Sequence, residues 1–416
     1  MIDRFSPSLI ALFAFIGITT AAPPQGYNAK LSVTGPTRID WFYPAANQSP
    51  AKPPPKFIGD DYDSTKQSYE LFVPPRKDMK QPMPAILFIS AGDDSQGWKA
   101  FEGPCKQHGF VFIGVRGAGN SVPIPKRSRI VLDCFDDVRK QIPLDPDRTY
   151  IGGLSGGGRM SCGIGFALPE YFGGIIPVVA GGELRDEPWL RHRAIDRLSV
   201  ALITGTTDFN RGEIEKWRGP LWKDVGIRTK IWSLNMGHTM PPSATLVEVI
   251  KWLDETKDKR AALAKKYPAM RASPDDAASR ETGAKSLLDE GKEKLKTRET
   301  LHAGLMLLKG CLERWPDLKE ADEAKKILLE YDAKKEKLWE VDDVAEQLKY
   351  LAAEAKALGD YALVGISPMS QYAKQRPDFA KKAIELWKQI IMAAPDSSAA
   401  KEGEKRLPEL EKLAGK

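Results

Sequence analysis

The chain has 416 residues, 42% of them hydrophobic, so it is long enough for two domains and apolar enough for a buried core. Its 62 basic and 56 acidic residues leave a net charge of +6 and are mixed along the chain, which excludes a basic stripe for nucleic acid. Four cysteines are too few for a disulfide scaffold, although one bridge among Cys105, Cys134 and Cys162 stays open. Because no Cys-x-x-Cys or His-x-x-x-His pattern occurs, the sequence supports no metal site, and we expect no cofactor.

The N-terminus has the pattern of an export signal. Arg4 precedes an apolar run from Leu9 to Ile18, and small residues follow up to Ala22. This pattern predicts a cleavable signal peptide over residues 1–22, with an uncleaved anchor as the alternative. No later run is long enough to cross a bilayer, so we expect an exported protein, periplasmic or secreted, with no membrane span after cleavage.

The next part of the chain alternates between strand and helix patterns. Residues 27–75 indicate short strands and turns, among which Ser68–Val73 alternates as an edge strand does. Apolar strands are predicted at 84–90, 110–115, 150–154, 174–179, 200–204 and 229–234, with helices at 98–107, 129–142, 187–197, 213–225 and from 243 onwards. This order predicts an α/β fold with a doubly wound, mostly parallel sheet, which we place at residues 23–260.

One turn in this part carries a chemical motif. Gly153, Ser155 and Gly157 form Gly-x-Ser-x-Gly after a short strand and before a helix of small residues. This arrangement is typical of a nucleophile elbow, in which a serine lies on a sharp strand-to-helix turn. The helix N-terminus behind Ser155 favours a developing negative charge. The alternative is a glycine-rich turn with an incidental serine.

A serine nucleophile needs a base, and His238 is the best candidate among four histidines. It follows a predicted strand, at the sheet edge where chemistry collects in open α/β folds. His108 precedes a strand, His192 lies among arginines on a predicted surface helix, and His302 lies in the distal helical region.

Asp208 is the candidate acid because it too follows a predicted strand, with Asp186 as the second choice. The resulting chain order is Ser155, Asp208, His238, which is the order nucleophile, acid, base of the α/β-hydrolase elbow.

Backbone N–H groups must stabilise the oxyanion that such a serine would generate. We expect one from Gly156 and another from Gly92 or Asp93, in the loop after strand 84–90. Arg116 and Asn120 belong to the same rim and are candidate substrate-binding residues; a plain glycine turn is the alternative. The glycines there do not fit a dinucleotide fingerprint.

Residues 65–257 resemble the α/β-hydrolase superfamily through Gly153–Gly158, Gly205–Asp208 and Gly237-His238 with the prolines that follow. The likeness is strongest to exported esterases of the polyhydroxybutyrate-depolymerase and feruloyl-esterase-like group and to dienelactone-hydrolase-like domains. The resemblance implies that Ser155 is acylated, that His238 transfers the proton and that Asp208 orients the imidazole. It implies a small-molecule or polymer-linked ester as substrate. The alternatives are a prolyl-oligopeptidase-type serine peptidase and a non-catalytic adaptor that works through helical repeats.

From about residue 257 the strand patterns stop, and Ala, Glu, Lys and Leu dominate. We expect a linker at 261–280 and an all-α domain of helical hairpins at 281–416. Helices are predicted at 282–294, 300–314, 319–331, 341–358, 378–393 and 398–413. Two matching turns around Pro316 and Pro395 resemble degenerate tetratricopeptide repeats, which implies a groove for a protein partner. The alternative is a helical appendage that packs on the hydrolase domain.

Overall fold

The structure is a computed structural model that describes residues 25–46, 58–59, 61–76, 78, 80–185, 187–274, 280–334 and 338–415. The predicted signal peptide and Asp186 lie outside these residues.

In the part of the chain that the structure describes, the strands form one eight-stranded sheet in the order β1-β2-β4-β3-β5-β6-β7-β8. They are β1 (Gly26–Ser32), β2 (Ser68–Val73), β3 (Met83–Ile89), β4 (Val111–Val115), β5 (Leu144–Leu154), β6 (Gly174–Val178), β7 (Ser199–Gly205) and β8 (Arg228–Leu234). β2 is antiparallel to both of its neighbours, and every other pairing is parallel. The predicted mostly parallel sheet is therefore confirmed.

Among the residues that the structure describes, eight helices belong to this first part of the chain and six more follow them. The first eight are α1 (Phe42–Ala46), α2 (Trp98–His108), α3 (Ile124–Gln141), α4 (Gly156–Ala167), α5 (Pro188–Arg197), α6 (Gly219–Asp224), α7 (Ser243–Asp254) and α8 (Lys257–Lys266). The six that follow are α9 (Arg280–Lys294), α10 (Arg298–Arg314), α11 (Lys319–Asp332), α12 (Leu338–Val364), α13 (Arg376–Ala393) and α14 (Ser398–Ala414). A single π-helical turn, Glu213–Arg218, precedes α6.

Helices cover both faces of the sheet. All seven residues of β3 are buried, and their alternation divides them between two apolar clusters. Ile86 and Phe88 share one cluster with residues of α2 and α7, whereas Leu87 and Ile89 share the other with residues of α3, α4 and α5. The continuous apolar runs in the sequence arise from this burial on both sides, as expected for parallel strands.

The prediction that Ser68–Val73 is an edge strand is wrong, because β1 pairs along its outer side. Five of its six residues are buried. The polar residue that suggested an exposed face, Glu70, is buried and accepts hydrogen bonds from Tyr27 Oη at 2.7 Å and from Ser95 Oγ. Polar partners from distant segments therefore allow a carboxylate inside the sheet.

The six later helices pack in two groups, α9–α11 and α12–α14, and each group contains one of the two proline-bearing turns. Both groups lie against the α/β part. Gly310 of α10 lies on the Trp189 ring of α5, and Trp217 stacks on Tyr361 of α12 with ring centroids 5.4 Å apart. The alternative of a helical appendage packed on the sheet domain is therefore the observed arrangement. The tetratricopeptide-like interpretation and the domain boundaries stay predictions.

The four cysteines, all within the described residues, are buried free thiols, so none of the bridges left open by the sequence is present. Burial raises the pKa of Cys162 and of Cys311 to about 12. No helix among the described residues combines the length and the apolar character required to cross a bilayer.

The contact between α10 and α5 predicts the effect of one methyl group. A Cβ on Gly310 would overlap the Trp189 ring, so Gly310→Ala should lower the free energy of unfolding by about 1–3 kcal/mol, measured by urea denaturation. Gly163→Ala in α4 is the matched control, because open space surrounds that position. It should be neutral or stabilising by up to ~1 kcal/mol. Equal stability of the two variants would contradict the packing described.

Candidate active site

Ser155 occupies a strained turn between β5 and α4. Its φ of 54° and ψ of −118° are values that side-chain-bearing residues rarely adopt. Its N–H donates to Val178 O at 2.9 Å, and its carbonyl accepts from Arg159 N at 3.1 Å as α4 begins. A Cβ on Gly157 would overlap the Ile89 carbonyl oxygen, and a Cβ on Gly153 would overlap Gly157. The glycines of the motif thus allow the turn to lie directly against the end of β3.

Asp208 and His238 form the second element of the site. His238 Nδ1 lies 2.8 Å from Asp208 Oδ1. The Asp208 side chain is fully buried and accepts two further hydrogen bonds, from Thr204 Oγ1 at 3.0 Å and from Asn210 N at 3.1 Å. A buried carboxylate with this many donors is held in one position. It therefore favours the tautomer of His238 that carries its proton on Nδ1.

The imidazole is also held by its face. The Phe209 ring stacks on His238 with centroids 4.1 Å apart and an interplanar angle of 21°. The side chain of His238 is 24% exposed, so the ring is reachable from solvent while its Nδ1 partner is not. This leaves Nε2 as the nitrogen able to exchange protons with a substrate or a nucleophile.

Val179, directly after β6, links these two elements. It has a φ of 51°, which is exceptional for a β-branched residue. Its N–H donates to Ile203 O at 2.8 Å, and its carbonyl accepts from Asn210 Nδ2 at 2.9 Å. The loop that carries Asp208 is thereby tied to the strand end that anchors Ser155.

All three predicted residues lie at the carboxyl edge of the sheet: Ser155 after β5, Asp208 after β7 and His238 after β8. The structure brings Asp208 and His238 into contact. Ser155 makes no hydrogen bond to either of them. Catalytic hydrogen bonds are often long without substrate and shorten in the Michaelis complex.

The loop after β3 begins against the turn, since a Cβ on Gly157 would lie 3.1 Å from Ser90 C, and its two candidate donors differ. The Gly92 N–H donates to Ser90 Oγ at 3.1 Å and is therefore occupied. The Asp93 N–H has no hydrogen-bond partner among the described residues, while its carbonyl accepts from Gly117 N at 2.7 Å. Gly156 is the first residue of α4, and such N–H groups have no partner within their helix. Gly156 and Asp93 thus offer donors, and Gly92 does not.

The two candidate substrate-binding residues occupy different positions on the rim. Asn120 lies directly on the turn, since a Cβ on Gly156 would overlap its Oδ1 atom. Arg116 forms an ion pair with Asp94 at 2.6 Å, so its charge is already partnered.

Arg127, which no sequence pattern indicated, connects the two loops that form this rim. Its buried guanidinium donates to Ser90 O at 2.8 Å, to Asn120 Oδ1 at 3.1 Å and to Ala118 O. Burial lowers the pKa of Arg127 to about 10, so it remains charged at neutral pH. One cation therefore fixes the loops after β3 and β4 relative to each other. The available sequence signal was a basic residue at the end of the first turn of α3, where the helix becomes buried.

The later helices reach the site through Arg159, one helical turn after Ser155. Arg159 Nη2 donates to Glu213 Oε2 at 2.8 Å, and Nη1 donates to Gly181 O at 2.7 Å and to Tyr372 Oη at 3.2 Å. Glu213 is fully buried. The sequence offered no sign that a residue beyond 281 contacts α4, because that contact is purely tertiary.

A cavity of about 570 Å³ lies away from this site, between the α/β part and α9–α10. Trp189, Tyr267 and Trp315 are among its lining residues, and none of Ser155, Asp208 and His238 lines it.

Comparison with known proteins gave fold-level similarity. No family model and no curated protein matches the chain. Solved structures to which it is similar include S-formylglutathione hydrolase from Staphylococcus aureus, at 14% identity and a TM-score of 0.35 over 46% of this chain and 93% of that one. A fluorophosphonate-binding serine hydrolase of Staphylococcus aureus shows 13% identity and a TM-score of 0.39 over 56% and 99%. Acetyl xylan esterase from Aspergillus awamori shows 13% and 0.32 over 46% and 94%. Similarity at this level does not identify a substrate.

The backbone strain at Ser155 predicts an unusual order of stabilities. Glycine tolerates a positive φ and alanine does not, so Ser155→Gly should be more stable than Ser155→Ala by about 1 kcal/mol in urea denaturation. The same pair at Ser161, inside α4, should give the reverse order by about 0.5–1 kcal/mol. Finding alanine favoured at both positions would show that the turn at Ser155 is not strained.

Proposed function

We propose that the chain is an exported serine hydrolase, a carboxylesterase that cleaves its substrate through an acyl-enzyme on Ser155. The observation that carries this proposal is the Asp208–His238 pair, at 2.8 Å, on the same sheet edge as a serine held at positive φ. A buried carboxylate, an oriented imidazole and a partly exposed serine turn are the parts that acyl transfer requires.

The reaction begins with attack of Ser155 Oγ on the ester carbonyl carbon. His238 Nε2 accepts the hydroxyl proton, and Asp208 stabilises the imidazolium that results. The hydrogen bond between Ser155 Oγ and His238 Nε2 would form when substrate binds. The imidazolium then gives its proton to the departing alcohol, which leaves the acyl group on Ser155. Water, deprotonated by His238 in the same way, releases the acid.

The tetrahedral intermediates require donors that are already in place. The Gly156 N–H at the start of α4 and the Asp93 N–H, which has no partner among the described residues, are suited to this role. Arg127 holds the Asp93 loop against the Asn120 loop, so the donors would not have to be reorganised during the reaction. No step in this chemistry needs a cofactor.

The substrate we propose is a small-molecule or polymer-linked ester. Asn120, which lies on the turn itself, is the rim residue placed to contact the substrate. Arg116 would contact the substrate while paired with Asp94. A groove for a protein partner on α9–α14 remains a proposal from the repeat-like turns.

Labelling with a fluorophosphonate probe tests the nucleophile. The wild-type protein should be labelled stoichiometrically and should hydrolyse p-nitrophenyl esters, and Ser155→Ala should lose both. Ser161→Ala, inside α4 and buried, is the matched control and should be labelled normally. If the wild type and Ser155→Ala are equally unlabelled, the chain is not a serine hydrolase and the adaptor alternative stands.

Replacing the acid tests the assignment of Asp208. Asp208→Asn should keep the fold and lower kcat about 10⁴-fold, because the amide stabilises the wrong tautomer of His238. Asp186→Asn, at the second-choice acid, should change kcat less than about 10-fold. The opposite ranking would transfer the role to Asp186.

Export is tested by the N-terminus of the mature protein. Mass spectrometry of the chain expressed with its leader should find a form that begins near Pro23, because small residues precede that point. A mature protein that still begins at Met1 would contradict cleavage.

A further inference from the structure

Two of the four histidines in the chain meet at the junction between the α/β part and the later helices. His192 of α5, His302 of α10 and Glu346 of α12 each offer one ligand atom, and these atoms all lie within 4.8 Å of one another. His302 Nε2 lies 2.9 Å from Glu346 Oε2, and His192 Nε2 lies 3.2 Å from the same oxygen. Three helices that are far apart in sequence therefore direct their side chains to one point.

The cluster is partly shielded from solvent, and not every buried nitrogen atom in it forms a hydrogen bond within the described residues. The side chains of His192, His302 and Glu346 are 21%, 13% and 24% exposed. His192 Nε2 is buried and is not aligned for a hydrogen bond to any residue that the structure describes, although the carboxylate oxygen is near. Both imidazoles thus face Glu346 Oε2, but only His302 is aligned to form a hydrogen bond with it.

The spacing suits a small divalent ion. Zinc bonds to histidine nitrogen and carboxylate oxygen at about 2.0–2.2 Å, so tetrahedral ligands lie roughly 3.3 Å apart. The two nitrogen-to-oxygen gaps already have about this length. Imidazole and carboxylate ligands favour zinc and neighbouring transition metals over magnesium or calcium.

Arg191 determines which carboxylate oxygen is available. Its Nη1 lies 3.5 Å from Glu346 Oε1, and its guanidinium lies over the Tyr350 ring, 4.2 Å from the centroid. The other oxygen, Oε2, faces the two histidines. An outer contact of this kind orients a ligating carboxylate, while the nearby positive charge weakens cation binding. We therefore expect lower affinity than that of a closed structural zinc site.

We propose that His192, His302 and Glu346 form a binding site for a divalent transition metal, of which zinc is the representative, that joins α5 to α10 and α12. Three protein ligands leave a fourth position for water. Because the ligands come from the α/β part and from both groups of later helices, the bound ion stabilises the docking of the helices on the sheet domain. The sequence could not indicate this site, since its ligands have no local spacing.

The test uses the full chain, freed of metal with a chelator and then titrated with zinc ion alone, with binding followed by calorimetry and thermal unfolding. The wild type should bind one equivalent and gain several degrees in its unfolding midpoint. His302→Gln and Glu346→Gln should weaken zinc binding at least ~100-fold and abolish the zinc-dependent shift. Because the shift is measured within each variant, a general loss of stability does not imitate the result.

Two controls distinguish this site from others. His108→Gln removes a remote histidine of α2, and His238→Ala removes the imidazole paired with Asp208; both should keep the zinc-dependent shift. Cobalt ion in place of zinc should give visible absorption that His192→Gln abolishes. The proposal is overturned if the wild type does not bind zinc at millimolar concentration, if binding survives in His302→Gln, or if binding is lost in His238→Ala.

Discussion

The close approach of the Ser155 turn to the end of β3 is the constraint on which the rest of the site depends. Gly157 lies so near the Ile89 carbonyl that no side chain fits between them, and Ser155 takes a positive φ to begin α4 from that position. The same approach brings the start of the loop after β3 against α4, since a Cβ on Gly157 would lie 3.1 Å from Ser90 C. The strained turn is therefore fixed against the loop that carries Asp93, one of the two proposed oxyanion donors.

A second group of contacts holds the Asp208–His238 pair relative to that turn. Ser155 N is bonded to Val178, and Val179, itself at positive φ, accepts from Asn210 in the loop of Asp208. The loops after β5, β6 and β7 are therefore connected through backbone groups and one amide. A carboxylate held by Thr204, Asn210 and His238 gives the imidazole one orientation.

The fold could be predicted because local patterns carry it, and the same patterns single out the candidate site residues. Apolar runs buried on both faces indicated β3 to β7, and glycines around Ser155 indicated the turn. The prediction that was wrong and the contacts that were not predicted both depend on tertiary partners. The alternation in Ser68–Val73 indicated an edge strand, but β1 pairs along its outer side. Nothing in the sequence pairs Arg159 with Tyr372 or Arg127 with the Asn120 loop. His192 was predicted to lie on a surface helix, yet it faces Glu346 because α10 and α12 cover α5.

The central claim is that an acyl group resides on Ser155 during turnover. Rapid mixing of the protein with p-nitrophenyl acetate, followed by acid quenching and peptide mass spectrometry, measures this directly. We expect a burst of p-nitrophenol close to one equivalent of enzyme, whenever deacylation is the slower step, and an acetyl group on the peptide that contains Ser155. Turnover at the same rate in Ser155→Ala, or an acetyl group found on another residue of the active protein, would contradict it.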